Sequence, residues 1–96
     1  MKFRDIFTFL KETKLYAEAK TRVVALLKTK KVELKGLVET YLKEKSPIIK
    51  ENTINFIMEH IELKFPYKFF KGKIKKVLNK NFDKLVEFIL AKLQEV

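Results

Sequence analysis

Only four residues in this chain break helices readily: Gly36, Gly72, Pro47 and Pro66. Apolar residues between them recur at three- and four-residue spacing, and strand-like alternation is nearly absent. Such spacing places side chains along one stripe of a helix. The pattern therefore predicts an all-α fold, a compact bundle of five or six short helices with no sheet. A 96-residue chain is one domain's worth, so a single helical domain over 1–96 is expected. An apolar content of 47% is enough for one modest core and argues against disorder.

Taken in order, Phe3, Ile6, Phe7 and Leu10 predict a first helix over about 3–12, with Phe9 off its stripe. Tyr16, Ala19, Val23, Leu26 and Leu27 predict a second over 14–31, with Thr13 as a weak cap. Lys28-Thr29-Lys30-Lys31 then interrupts the register, either as a turn or as a solvated helical bridge. Leu34, Leu37, Val38, Tyr41 and Leu42 mark a helix over 33–45, with Gly36 either inside it or capping the helix before.

Ser46-Pro47 is the clearest boundary. Serine at an N-cap accepts a bond from a free backbone N–H, and proline at the first helical position loses none. The helix over 47–61 that follows carries Ile49, Ile54, Phe56, Ile57, Met58 and Ile61 around more than a narrow stripe. It is expected to be central and the most buried. Pro66 pushes Leu63–Phe65 into an extended link and is expected to start the next helix. Its stripe is Tyr67, Phe70, Ile74, Val77 and Leu78, and it runs to about residue 78. Asn81 and Asp83 suit the start of an end helix over 82–95, although one bent helix over 66–95 keeps the same register.

Charge is unevenly distributed. The chain carries a formal +10. Residues 63–82 hold seven lysines (Lys64, Lys68, Lys71, Lys73, Lys75, Lys76 and Lys80) and no acid. Phe65, Tyr67, Phe69, Phe70 and Phe82 are interleaved with them. Basic groups beside aromatics on a helix suit a polyanionic partner. Most of the remaining basic residues are also lysine; Arg4 and Arg22 are the only arginines, a bias of the kind AT-rich codons produce.

Catalytic chemistry is poorly provided for. Cysteine is absent, which removes disulfides, thiolate metal sites and cysteine nucleophiles. Ser46 is the only serine and His60 the only histidine. On one helix they would stand about 20 Å apart, too far for a nucleophile–base pair. His60 lacks a ligand one turn away, since Phe56 and Lys64 occupy those positions. Two glycines do not make a phosphate loop. No enzymatic activity, metal or cofactor is expected. With no apolar run long enough to span a bilayer and no signal peptide at the N-terminus, the expected location is cytoplasmic.

The expected function is that of a basic helical binding protein. It sets a lysine-rich helix over about 66–80 against a polyanion, with Lys64, Lys68, Phe69, Lys71, Lys73, Lys75, Lys76 and Lys80 as the binding residues. Nucleic acid is the first choice of partner. Lysine neutralises phosphate, but it lacks the bidentate guanidinium that reads base edges, so strong sequence specificity is not expected. The second reading is peripheral binding to an anionic membrane or an acidic protein. The third is a homodimeric structural or accessory protein, of the phage, plasmid or immunity type, whose lysines serve only solubility. The off-stripe Phe9, Phe69 and Phe88 favour such an interface.

Overall fold

The structure is a computed structural model and describes residues 11–95. The helix expected over 3–12 lies almost wholly outside them. Among the described residues the chain forms four α-helices and one 3-10 turn, with no strand. These are α1 (Glu12–Glu44), α2 (Pro47–His60), the turn Tyr67–Phe70, α3 (Lys71–Lys80) and α4 (Phe82–Glu95). The all-α expectation holds, and the count of five or six helices is slightly high.

The two helices expected over 14–31 and 33–45 are one. The polar run at 28–31 carries neither glycine nor proline, and lysine is a good helix former. Backbone bonding therefore continues through it, and Thr29 donates its hydroxyl to the Leu26 carbonyl at 3.3 Å. The interruption survives only as a kink at Lys30, whose φ of −123° and ψ of 31° leave the helical region. Thr13 caps nothing; it lies inside α1, and the N-cap position is Lys11, which makes no side-chain cap bond. Gly36 likewise sits within α1. The helix stops at Lys45, whose left-handed φ of 52° turns its N–H onto the Tyr41 carbonyl.

At about 1.5 Å per residue, the 33 residues of α1 reach roughly 50 Å when straight, so α1 runs the 45 Å length of the described molecule. Leu15, Ala19, Val23, Leu26, Leu27, Leu34, Val38 and Tyr41 form its buried face. Helices α2, α3 and α4 all pack on it. This corrects the expectation that helix 47–61 is the most buried. Two helices, α1 and α3, do contact α2, but its fully buried residues are only Thr53, Ile54 and Ile57. Ile48 is exposed, while Ile49, Phe56 and Met58 are half-buried. A short helix lying on a long one buries one face, whatever its total apolar content.

Ser46 caps α2 as its sequence demands, accepting from the N–H groups of Ile48 at 3.2 Å and Ile49 at 3.5 Å. Residues 61–66 are non-helical, as a following proline requires. Pro66 does not start an α-helix. It leads into the 3-10 turn, and α3 begins only at Lys71. The alternative of one bent helix over 66–95 also fails, because the chain breaks at Asn81 (φ −108°, ψ 26°). Asn81 bonds backwards, donating from its Nδ2 to the Val77 carbonyl at 2.9 Å. Helix α4 buries Phe82, Leu85, Val86 and Ile89. Phe82 meets Tyr41 edge to face at 4.6 Å, and Tyr41 donates its hydroxyl to Asp83 at 3.0 Å. The far end of α1 is thereby fastened to the start of α4.

Two stability outcomes follow. Gly36 is exposed, and an added Cβ would meet nothing within 4 Å. Gly36→Ala is expected to stabilise the protein by about 0.5–1 kcal/mol in urea denaturation. Burial raises the pKa of the Tyr41 phenol, and the bond to Asp83 and its charge raise it further. Above about pH 10 the folded state then holds a proton that the unfolded chain has lost, so stability falls as pH rises through the folded pKa. Burial also raises the pKa of Tyr16 and Tyr67, so the difference from a variant isolates Tyr41. Denaturation between pH 9 and 11 is expected to show a steeper loss for the wild type than for Tyr41→Phe.

Candidate polyanion-binding face

Burial of Ile74, Val77 and Leu78 fixes which way α3 faces. With that stripe inward, the remaining α3 side chains turn outward. Lys64, Lys68, Lys71, Lys73, Lys75, Lys76 and Lys80 are all exposed. Lys64 lies in the non-helical link, Lys68 and Phe69 in the 3-10 turn, and the other five lysines on α3.

Among the described residues, one of the seven is engaged with an acid. Lys80 Nζ lies 3.0 Å from Glu12 Oε2, at the start of α1. Among the described residues, no ion pair takes up Lys64, Lys68, Lys71, Lys73, Lys75 or Lys76. Lys68 Nζ sits 5.4 Å from the centre of the Phe69 ring.

Sequence reasoning missed the groove that receives these lysines. Pro47, Lys50, Glu51 and Ile54 form one row on α2, and Gly72, Lys75, Lys76 and Asn79 the facing row on α3. Both rows have i, i+3, i+4, i+7 spacing, so each is a single helix face. The hollow between them measures about 480 Å3. Its walls carry Lys50, Lys75 and Lys76 against one acid, Glu51. It also adjoins the N-terminal turn of α2, where the helix dipole adds positive potential. A second hollow of about 330 Å3 shares Lys50 and Asn79 with the first and adds Lys80 and Lys84 together with one acid, Asp83. The positive surface thus continues towards the start of α4. Lys50 belongs to the face although it lies outside the basic stretch, and its Nζ stands 5.7 Å from the centre of the Phe82 ring. Its position in the α2 row is visible in the sequence; that α3 lies opposite is not.

Lys73 sits differently. It borders a smaller hollow between α1 and α3, of about 140 Å3, with Glu12, Leu15, Lys76 and Val77. Lys75 and Lys76 thus line the groove with Lys50, while Lys76 also borders the Glu12 hollow beside Lys73, and Lys80 pairs with Glu12 although it shares the second hollow with Lys50.

The aromatics divide. Tyr67 and Phe70 are half-buried against the core. Phe69 is 68% exposed and Phe65 is 65% exposed. The two rings meet edge to face at 5.7 Å. Phe88, expected to lack a partner, is half-buried and lies within reach of Lys20 at 5.3 Å and Lys92 at 5.7 Å. Phe9 lies outside the described residues.

The remaining chemistry is sparse. Among the described residues no group of three His, Cys, Asp or Glu side chains is placed to hold a metal ion. Exposed His60 is held by its own helix, with Nδ1 2.8 Å from the Phe56 carbonyl oxygen. Arg22, the arginine among the described residues, lies on α1 and meets Glu18 at 3.6 Å. It borders a separate hollow with His60 and Glu62. No described helix is long and apolar enough to cross a membrane. No family model, curated protein or solved structure matches the chain.

Both members of the Lys80–Glu12 pair are largely exposed, at 67% and 60% of the side chain. Solvent screens such a pair, so Glu12→Gln is expected to change unfolding free energy by less than about 1 kcal/mol. Urea denaturation checks this; a larger loss would mean that the pair anchors α3 to α1.

Proposed function

We propose that this protein is a non-enzymatic binding protein whose lysine-rich face engages nucleic acid without strong sequence specificity. The supporting observation is the α2–α3 groove. Lys50, Lys75 and Lys76 converge on it from two helices, and no carboxylate among the described residues pairs with any of the three. Lysines held close together repel one another, and a phosphate backbone relieves that repulsion while releasing its own counterions. The outer lysines Lys64, Lys68, Lys71, Lys73 and Lys80 extend the field beyond the groove and steer the partner in. Phe69 is the contact aromatic.

Weak specificity follows from the residue types. Lysine is a point charge on a flexible stem, suited to phosphate and poorly suited to distinguishing bases. Arg22, whose guanidinium could read a guanine edge, sits on α1 beside Glu18. The peripheral-membrane reading is weaker. An interfacial helix must offer its apolar stripe to lipid, and the α3 stripe of Ile74, Val77 and Leu78 is buried in the core.

Titration with fluorescently labelled oligonucleotides at several salt concentrations tests the proposal. With about five lysines engaged, log K is expected to fall against log salt with a slope of about three to five. Lys75→Glu/Lys76→Glu is expected to weaken binding at least about tenfold while leaving the melting temperature within a few degrees, because both side chains are exposed. Absence of salt-dependent binding, or an unchanged affinity in the double variant, would overturn the proposal.

A further inference from the structure

We infer that the nucleic acid is single-stranded, with Phe65 and Phe69 stacking on unpaired bases while the α2–α3 groove holds the adjoining phosphates. This rests on the nucleic-acid reading above and names the form of its ligand. Each base has a π face, but in a duplex that face is covered by the neighbouring base pairs. Aromatic side chains gain from stacking only where bases are unpaired.

Three observations carry the inference. First, the two rings are more than 60% exposed and meet at 5.7 Å, so they form one aromatic ledge outside the core. Water-exposed phenylalanines at adjacent turns of chain gain nothing for the fold from that position. Second, the ledge is close along the chain to the α3 wall of the cationic groove. Phe69 lies in the 3-10 turn just before α3, joined to it through Phe70, whose φ of −115° and ψ of 25° leave the helical region; it stands three residues before Gly72 and seven before Lys76. Three residues span at most about 11 Å of chain, so the ring is rooted within about 11 Å of the start of the groove wall. Stacking surface and phosphate-binding lysines thus follow one another in the order that a strand with splayed bases requires. Third, the face has no means of reading a duplex. Among the described residues it carries no arginine, and Lys75 and Lys76 line a hollow whose other wall is α2. Helix α3 does not project as a free helix into a major groove about 12 Å wide.

The test uses the full chain with a labelled oligothymidine of about 15 nucleotides, the same strand annealed to oligoadenine, and phosphatidylserine-containing vesicles. The single strand is expected to bind at least about tenfold more tightly than the duplex. Phe65→Ala/Phe69→Ala is expected to lose at least about tenfold on the single strand, by loss of two stacks, and less than about twofold on the duplex. Both positions are exposed, and a thermal melt confirms that the variant folds. Phe65→Leu/Phe69→Leu, which keeps apolar area without a π face, is expected to behave as the alanine variant does, while Phe65→Tyr/Phe69→Tyr retains binding. Equal affinity for both forms, an unchanged affinity in the alanine variant, or full activity of the leucine variant would overturn the single-strand inference and leave the lysine groove standing. Vesicle binding that depends on the two rings, with no oligonucleotide binding, would overturn both.

Discussion

Burial of Ile74, Val77 and Leu78 is the constraint on which the candidate binding face depends. Helix α3 is only ten residues long and rich in lysine, too short and too highly charged to persist alone in water. It exists because three apolar side chains pack against α1 and α2. The same contact decides its rotation about its own axis. Once the stripe is inward, the lysines have nowhere to point but into solvent. Folding and charge display therefore share one cause: the burial that secures the helix also leaves its lysines in solvent.

The long helix α1 makes that contact possible. Its buried face runs from Leu15 to Tyr41, so three shorter helices each find a partner along it, and α2 and α3 also pack against one another. The Tyr41–Phe82 and Tyr41–Asp83 contacts hold α4 near its C-terminal end. Glu12, near its N-terminal end, meets Lys80 at the close of α3. Crossing of α2 and α3 on this spine opens the groove, and the small side of Gly72 leaves room in its wall. A groove made this way is a by-product of helix packing. What makes it a candidate site is that its lysines come from two helices and outnumber the one acid on its walls, Glu51, with no ion pair to any of them among the described residues.

Local features were legible in the sequence and tertiary ones were not. Ser46-Pro47 carries its own hydrogen-bond logic, and the helix begins where that logic says. The inward stripes of α3 and α4 follow from spacing alone, as does the outward turn of the seven lysines. The fusion of two expected helices into α1 was not legible, because a run of lysines can close a helix or bridge it and neither outcome needs a special residue. Pro66 was overread: it sets the chain direction but begins only a 3-10 turn. The expectation for helix 47–61 mistook apolar content for centrality, which depends on how many neighbours a helix is long enough to touch. Lys50 joined the site, and Lys80 found Glu12, only through packing across the fold; the latter two residues are 68 positions apart.

Amide chemical shifts of the isotopically labelled protein, followed as oligothymidine is added, test the central claim most directly. The expected result is a contiguous set of perturbed amides over residues 47–54 and 64–80, with the N-terminal half of α1 around Arg22 and the exposed Val32 unmoved. Perturbations centred on α1, or scattered evenly over the molecule at saturating oligonucleotide, would contradict it.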